Sequence, residues 1–251
     1  MIDHFIIGGA QRSGTTFLYR MLDAHPEIQM AKPVRPEPKF FLKDDLFQGG
    51  RKLYEETCFG PPDPRIRVRG EKSTSYIEYE SCARRIRAIL PEVKLIFVLR
   101  NPVERAISNY WFSVNNGLEN RPINEALAVG GQKAFTVEGS GLSASPYNYL
   151  GRGKYVDYLN VYRKYFPAEQ LKIVLFEEMV AGGGVVYADL LSFLGLAPTE
   201  DLPDGLGPVN ASEKHDIGLS EELRRELTSF FLPWNQRLKD EFQVNTDLWL
   251  M

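Results

Sequence analysis

The sequence predicts an α/β protein with a mostly parallel central sheet that is covered by helices on both faces. Short apolar runs alternate along the chain with segments in which apolar residues recur at helical spacing. The clearest runs, at 5–7, 94–99 and 171–176, are almost wholly apolar, which is typical of strands buried on both faces. Because 251 residues can bury one substantial core, we expect a single domain over 1–251 rather than two small ones.

The first elements are a strand at 5–7 and a helix at 15–24, joined by a loop that contains glycine. Phe17, Leu18 and Met21 recur at helical spacing in the second element. A loop of this kind directs backbone N–H groups and the positive end of the helix dipole at one spot, which favours a bound phosphate or other oxyanion. The alternative is a glycine turn that only links strand to helix.

The stretch after this helix is a candidate site loop. His25 and Pro26 end the helix, and 28–30 form a brief strand. Three prolines then exclude regular helix and hold the charged segment 32–41 in an extended path. A charged segment constrained in this way is well placed to carry site residues.

The middle of the chain continues the alternation of helix and strand. The predicted elements are a helix near 53–58, a strand at 65–70, a helix at 81–90, a strand at 94–99 and a helix at 103–115. The strand at 94–99 has the strongest buried-strand pattern in the chain. It ends in Arg100-Asn101-Pro102, and Pro102 suits the first turn of the next helix.

The second half opens with a long stretch, 116–150, that is rich in Gly, Ser and Asn and carries only a weak helical pattern at 123–129. We expect an insertion that forms either a lid on the acceptor side or a disordered loop. The later predicted elements are a helix at 155–165, a strand at 171–176, a helix at 185–194 and an amphipathic final helix capped by Ser220. Ligands are expected at the C-terminal ends of the parallel strands.

Composition excludes several function classes. The formal charge of −3 gives no basis for binding nucleic acid or an anionic membrane surface. No run approaches the ~18 apolar residues of a membrane span, and no basic-then-apolar leader precedes the first strand, so we expect a cytoplasmic protein. Cys58 and Cys82 lack the spacing of a disulfide framework or a metal site and are expected to be free thiols.

The loop at 9–16 resembles a P-loop, but not a complete one. Gly9 and Gly14 have the G-x-x-x-x-G spacing, yet two threonines follow where nucleotidases carry Lys and then Ser or Thr. The cationic side chain is instead Arg12, inside the loop.

The residue that follows the strand at 94–99 also differs from the one that a P-loop kinase requires. A P-loop kinase needs an Asp at the end of a neighbouring strand to hold Mg²⁺, and here Arg100 occupies that place. A cation in place of a metal ligand suits a substrate that brings an extra phosphate and no metal.

Two stretches together resemble the cofactor motifs of one enzyme family. Residues 9–16 and 99–110 are similar to the 5′-phosphosulfate and 3′-phosphate motifs of sulfotransferases that use 3′-phosphoadenosine 5′-phosphosulfate (PAPS). Residues 36–41, 71–76 and 151–155 are similar to the heparan-sulfate and related bacterial branch of that family. The resemblance implies a P-loop-like, three-layer α/β/α fold. It also implies PAPS as donor, adenosine 3′,5′-bisphosphate (PAP) as product, and no metal.

The resemblance also assigns the residues that bind the cofactor. They are Gln11, Arg12, Ser13, Gly14, Thr15, Thr16, Arg100, Ser108 and Lys214. Arg100 at the strand end and Ser108 in the next helix can converge on one phosphate, a task for which a bidentate guanidinium is well matched. Without the first motif, this pair would be a salt-bridged strand end and a serine on the helix surface. Arg105 is expected to be structural or to face solvent.

Sulfuryl transfer needs cations and N–H donors at the leaving phosphate and a base at the acceptor. Glu37 matches the glutamate that precedes an aromatic pair in the family, and we expect it to be the general base. The alternatives are that Glu37 is only a charged loop residue or that His215 is the base. Arg12 stands where the family commonly has lysine; arginine keeps the charge but is a poorer proton donor.

Other polar and aromatic residues have weaker assignments. Lys39 and Lys72 either bracket the transferring group or are simply solvated. The aromatic residues near strand ends either line an acceptor pocket or belong to the core: Phe40, Phe41, Tyr76 and Trp111. His4 and His25 are expected to cap or pack.

The leading hypothesis is a sulfotransferase that acts on a hydroxyl or amine of a small-molecule or carbohydrate acceptor, with no nucleic-acid or membrane partner. A nucleotide-dependent kinase and a catalytically inactive nucleotide-binding module are the competing interpretations. The acceptor depends on loop side chains that have no transferable code.

Overall fold

The chain divides into two compact units. The first comprises Met1–Leu99 and Val161–Asn210, and the second comprises Arg100–Asn160 and Ala211–Met251. The computed structural model describes residues 2–61, 63–131, 133–138, 142–206 and 218–249. The expectation of a single domain stays a prediction. In the described part of the chain, no helix is long and apolar enough to cross a membrane.

The first unit is built on a sheet in which every neighbouring pair of strands is parallel. The strands are β1 (Asp3–Gly9), β2 (Ile28–Met30), β3 (Val68–Lys72), β4 (Lys94–Leu99) and β5 (Leu171–Leu175), in the order β2-β3-β1-β4-β5. The predicted α/β class with a parallel sheet is confirmed. Strand order reverses around β1, and ligands of open parallel sheets bind at such a switch point, beyond the carboxyl ends of the strands.

The helices follow the predicted alternation closely. They are α1 (Thr15–Asp23), α2 (Asp44–Gln48), α3 (Gly50–Cys58), α4 (Glu80–Ile89), α5 (Pro102–Asn115), α6 (Ile123–Ala126), α7 (Tyr155–Arg163), α8 (Phe176–Ala181), α9 (Gly183–Leu194) and α10 (Glu221–Phe242). Neither α2 nor α8 was predicted. The strand predicted at 65–70 lies instead at Val68–Lys72, so two charged residues end a strand that is buried along its whole length.

The core of the first unit fixes where the loop after β1 begins. Phe5 and Ile7, which lie on the same face of β1, pack with Leu18 and Leu22 of α1 and with Leu190 of α9. Burying a side chain of this size contributes roughly 1.5–3 kcal/mol. The strand and the helix on either side of the loop are therefore held firmly.

The second unit has its own core, built mainly from α5 and α10. Val103 and Ile107 pack with Leu227 and Phe231. The Asn101 side chain caps α5 by accepting hydrogen bonds from the backbone N–H groups of residues 103 and 104, with Pro102 in the first turn. Ser220 caps α10 in the same way, through a 3.2 Å bond from Leu223 N. Both helix starts were predicted.

The described residues of 116–150 carry a buried ion pair. Arg121 donates to the Glu119 carboxylate from Nε at 3.0 Å and from Nη2 at 2.7 Å, and the Tyr149 hydroxyl donates to the same group at 3.2 Å. The hydrogen bonds from the Arg121 side chain, followed by those from the backbone N–H groups of residues 121 and 120, hold the pKa of Glu119 down at about 2. These contacts join residues 119, 121 and 149, and the interpretation of 116–150 as a lid or a disordered loop stays a prediction.

Candidate active site

The loop at 9–16, which we call the phosphate loop, joins β1 to α1 through two glycines that admit no side chain. Gly14 has a φ of +87°, and a Cβ atom there would lie 2.6 Å from the Phe176 ring. A Cβ atom on Gly9 would lie 2.6 Å from Ile77. The spacing of these glycines therefore reflects close packing as well as backbone freedom.

The start of α1 presents backbone donors. Gly14 O accepts from Phe17 N at 2.9 Å and Leu18 N at 3.2 Å, as the first helical turn requires. The N–H groups of Thr15 and Thr16 lie in that first turn, where a helix offers them no internal acceptor. Glycine supplies no side-chain cap, so these donors suit an oxyanion ligand.

Two side chains in the phosphate loop add to this arrangement. Arg12 is half-buried and has a left-handed backbone, with φ +68°. Ser13 is fully buried, and within the described chain its Oγ has no hydrogen-bond partner. A buried hydroxyl without a partner costs about 1–3 kcal/mol, which a bound oxyanion would offset. The phosphate loop therefore fits the 5′-phosphosulfate end of a nucleotide.

Glu37 lies in a polar cluster beside this loop. Lys72 Nζ is 2.5 Å from Glu37 Oε1, Thr74 N donates to Oε2 at 3.0 Å, and Thr74 Oγ1 contacts both carboxylate oxygens at 3.0 and 3.1 Å. The side chain of Lys72 is 3% exposed and that of Glu37 is 14% exposed. These contacts hold the carboxylate in one orientation, and the side chain that carries it is not completely buried.

The sheet explains why the cluster and the phosphate loop are neighbours. Lys72, the last residue of β3, is in register with Ile7 of β1, and Ser73 N donates to Ile7 O at 3.1 Å. Parallel strands end at the same edge of a sheet, so β3 delivers Lys72 where β1 enters the phosphate loop.

The segment that carries Glu37, residues 37–42, is anchored by hydroxyl groups. Lys39 N donates to Ser73 Oγ at 2.9 Å, and Phe41 N donates to the Tyr76 hydroxyl at 3.1 Å. Phe40 and Phe41 pack against Tyr54, with ring centroids 5.2 and 5.3 Å from it. We call residues 37–42 the Glu37 segment.

Several predicted assignments are decided by burial. The Lys72 side chain is buried and paired with Glu37, so the interpretation of Lys72 as a solvated residue is wrong. Lys39 is half-buried, and its role stays a prediction. Phe40, Phe41 and Tyr76 are fully buried core residues rather than pocket-lining residues.

The remaining aromatic and histidine predictions agree with packing roles. Trp111 is half-buried and packs on Tyr110. His4 packs against Tyr54, and His25 Nδ1 accepts from Glu27 N at 3.2 Å.

Thr74 was missed by sequence reasoning. It makes three contacts to the Glu37 carboxylate, yet it belongs to a run of hydroxyl residues that any turn can carry. The only feature of the sequence that could have pointed to Thr74 was its position two residues after the charged pair Glu71-Lys72, which ends a strand.

The second unit holds the other predicted cofactor residues that the structure describes. Arg100 is half-buried just before the cap of α5, and its carbonyl accepts from the Tyr155 hydroxyl at 2.8 Å. Ser108 lies within α5 and is 9% exposed. Arg105 is fully buried and donates to Asn109 Oδ1 at 3.2 Å and to the Tyr149 carbonyl, so it is structural and does not face solvent.

Two predicted residues, Lys214 and His215, lie outside the described residues. Among the described residues, no group of three or more His, Cys, Asp or Glu side chains could hold a metal ion.

Comparison with known proteins decides the family. Residues 2–206 match the family model described as the sulfotransferase domain. The chain belongs to the family of PAPS-dependent sulfotransferases. The resemblance drawn from the sequence is therefore confirmed.

The sulfotransferase is similar to human heparan sulfate glucosamine 3-O-sulfotransferase 6, with 29% identity over 92% of this chain and 69% of that protein. It spans 58% to 61% of the length of the 3A1 and 3B1 relatives of human and mouse. The crystal structure of a sulfotransferase from Alicyclobacillus acidocaldarius matches with a TM-score of 0.77 and 26% identity, covering 100% of both chains. Mouse sulfotransferase SULT7A1 complexed with PAP shares the fold, with a TM-score of 0.50 and 14% identity over 99% of this chain and 86% of that one.

Proposed function

We propose that this sulfotransferase moves the sulfuryl group of PAPS to a hydroxyl or amine of a carbohydrate or natural-product acceptor, with Glu37 as general base. The observation that carries the proposal is the Glu37 carboxylate, fixed by Lys72 and Thr74 where β3 ends beside the entry to the phosphate loop. A base needs a fixed orientation and access to the acceptor; the contacts to Lys72 and Thr74 and the 14% exposure of the Glu37 side chain support this role.

The residues proposed to hold PAPS follow from the phosphate loop and the family motif. The N–H groups of Thr15 and Thr16, the Arg12 guanidinium and the Ser13 hydroxyl bind the 5′ end. In the second unit, Arg100 and Ser108 bind the 3′-phosphate. Gln11, Gly14 and Lys214 complete the proposed set.

The chemistry that PAPS supplies when bound is an activated sulfuryl group with PAP as its leaving group. Glu37 accepts the proton that the acceptor hydroxyl or amine releases, and it becomes a neutral carboxylic acid. Arg12 and the loop amides stabilise the negative charge on the departing phosphate. Lys72 keeps the carboxylate aimed, and Lys39, next to the aromatic pair, adds positive charge near the same segment.

A carbohydrate acceptor has the better support. The human relative is named for heparan sulfate glucosamine, and 92% of this chain aligns with it. We propose an amino-sugar oligosaccharide as the first acceptor to test, with O-sulfation and N-sulfation distinguished by the product.

Calorimetric titration with PAP, compared with ATP plus Mg²⁺, tests the donor half of the proposal. We expect metal-independent binding of PAP and no preference for Mg-ATP. Radiolabelled PAPS with heparan sulfate oligosaccharides, or with a phenol as a natural-product surrogate, tests transfer. A preference for Mg-ATP would overturn the proposal, and PAP binding without transfer to any acceptor would indicate an inactive module.

A further inference from the structure

Residues 100–102, which we call the Arg100 corner, are held by two other segments of the second unit. The hydroxyl of Tyr155, at the start of α7, donates to the Arg100 carbonyl at 2.8 Å. The Asn101 side chain donates from Nδ2 to the Trp249 carbonyl at 3.1 Å. The first two residues of the corner are therefore fixed by partners that lie 55 and 148 positions away along the chain.

The two partners of the corner also contact each other. The rings of Tyr155 and Trp249 lie 6.0 Å apart between centroids, with planes tilted by 55°. Tyr155 is 1% exposed and Trp249 is 4% exposed. Packed aromatic pairs stabilise a structure beyond the area that they bury. We call Tyr155 and Trp249 the clamp, because together they hold the first two residues of the Arg100 corner.

The Arg100 corner is also tied to the start of α5 and closely packed. Asn101 accepts hydrogen bonds from the first turn of α5 through Oδ1 and donates to the clamp through Nδ2, so one side chain joins the helix start to the clamp. A Cβ atom on Gly153 would lie 2.9 Å from Pro102 Cβ. The backbone at the corner therefore has little room to shift.

We propose that Tyr155 and Trp249 are positioning residues for the 3′-phosphate, because they fix the backbone from which Arg100 extends. The inference rests on the proposed function, in which Arg100 binds that phosphate. A guanidinium that binds phosphate through two parallel N–H groups must align both hydrogen bonds at once. Its backbone must therefore be held in place, and the clamp acts directly on the Arg100 carbonyl and on the residue that follows.

The main test is Tyr155→Phe, which removes the hydroxyl and leaves the ring on Trp249. Calorimetry measures the affinity for PAP and for adenosine 5′-phosphate, which lacks the 3′-phosphate. We expect the ratio of the PAP affinity to the adenosine 5′-phosphate affinity to fall about 3- to 10-fold, the value of one hydrogen bond. The KM for PAPS should rise while kcat at saturating PAPS stays at the wild-type value. An unchanged ratio would overturn the proposal.

Tyr19→Phe is the matched control for Tyr155→Phe. Tyr19 is 3% exposed, and its hydroxyl donates to the Ala31 carbonyl at 2.8 Å. The control removes the same kind of hydrogen bond in the first unit, so it should leave the ratio of the two affinities unchanged. A fall of the same size in Tyr19→Phe would mean that lost stability moves the ratio, which would overturn the proposal.

Two variants of Trp249 test the other half of the clamp. Trp249→Ala removes the ring that packs on Tyr155, whereas Trp249→Phe keeps a smaller ring there. We expect Trp249→Ala to lower the ratio about as much as Tyr155→Phe does, and Trp249→Phe to restore most of that loss. An unchanged ratio in folded Trp249→Ala would overturn the role of Trp249.

A double-mutant cycle tests whether the clamp acts through Arg100. If it does, Tyr155→Phe should cost little further PAP affinity when it is added to Arg100→Ala. Losses that multiply in the double variant would mean that Tyr155 acts on the phosphate by another route, and the proposal would be wrong.

A readout independent of ligand separates this proposal from the proposed function. Hydrogen–deuterium exchange is measured on peptides that span the Arg100 corner with the first turn of α5 and, for comparison, the start of α4. We expect Tyr155→Phe to speed exchange in the first peptide only. If wild type binds PAP no better than adenosine 5′-phosphate, the 3′-phosphate assignment fails, while exchange still decides whether the clamp holds the corner; unchanged exchange in Tyr155→Phe would overturn it.

Discussion

The phosphate loop and the Glu37 segment meet at one edge of the sheet but are built in different ways. The phosphate loop relies on backbone: two glycines, the open start of a helix and one orphaned hydroxyl. The Glu37 segment relies on side chains from distant parts of the chain, with Lys72, Thr74 and Tyr76 reaching it from β3 and the turn beyond. The shape of the phosphate loop depends on two positions without a side chain, Gly9 and Gly14, whereas the Glu37 segment depends on side chains that reach it from elsewhere.

This difference predicts different responses to mutation. A substitution that adds one carbon to the phosphate loop, such as Gly14→Ala, should weaken anion binding. A substitution that changes one atom of the Glu37 segment, Glu37→Gln, should leave binding unchanged and lower the rate of transfer. The two regions are thus separable by measuring PAP affinity and transfer in the same variants.

The largest expected effect is that of Glu37→Gln on transfer. Loss of the base should lower kcat by about 100-fold or more, since general base catalysis typically contributes that much. PAP affinity should stay at the wild-type value because the phosphate loop is untouched. The measurement is transfer from radiolabelled PAPS alongside calorimetry with PAP.

Glu56→Gln serves as the control for Glu37→Gln, because its side chain is 61% exposed. Retained turnover in Glu37→Gln would show that Glu37 is not the general base. His215 would then be the next candidate for that role.

Gly14→Ala tests the backbone half of the comparison. The positive φ and the close Phe176 ring together should cost about 1–3 kcal/mol of stability, and PAP affinity should fall as the loop shifts. Gly50→Ala is the matched control, with φ +65° and nothing within 4 Å of the added carbon. Thermal unfolding and calorimetry check both variants. Equal effects on PAP affinity would show that the phosphate loop tolerates a side chain.

The same contrast explains what the sequence could and could not predict. The phosphate loop is encoded locally, so the spacing of Gly9 and Gly14 was enough to find it. Thr74 acts through Glu37, which lies far from it along the chain, and no local pattern marks it. The strand predicted at 65–70 lies at Val68–Lys72, and its buried last residue is paired with Glu37, a tertiary contact that a sequence window does not contain.

Arg100→Ala and Ser108→Ala extend the comparison to the second unit. If these residues bind the 3′-phosphate, each should weaken PAP binding by roughly 10–100-fold, the value of a lost hydrogen bond to a charged group. Arg225→Ala, an exposed arginine on α10, is the control. Adenosine 5′-phosphate, which lacks the 3′-phosphate, should bind wild type and both variants alike. Unchanged PAP affinity in both variants would remove the 3′-phosphate assignment.

The last expected effect is on the pH dependence of stability, and it separates Glu71 from the phosphate loop. Glu71 in the folded protein keeps its proton up to about pH 8, whereas the unfolded chain releases it near the ordinary value for glutamate. The folded state therefore binds more protons between about pH 4.5 and 8, and stability falls as pH rises through that window, by roughly 1 kcal/mol per pH unit.

Glu71→Gln should remove this fall, while Arg12→Ala in the phosphate loop should keep it, because arginine does not titrate there. His4 and His25 act in the opposite direction, since burial lowers the pKa of both. Their contribution is common to wild type and Glu71→Gln, so it cancels when the denaturation free energies of the two proteins are subtracted at each pH. A difference that is flat from pH 5 to pH 8 would mean that Glu71 ionises in the folded state as it does in the unfolded chain.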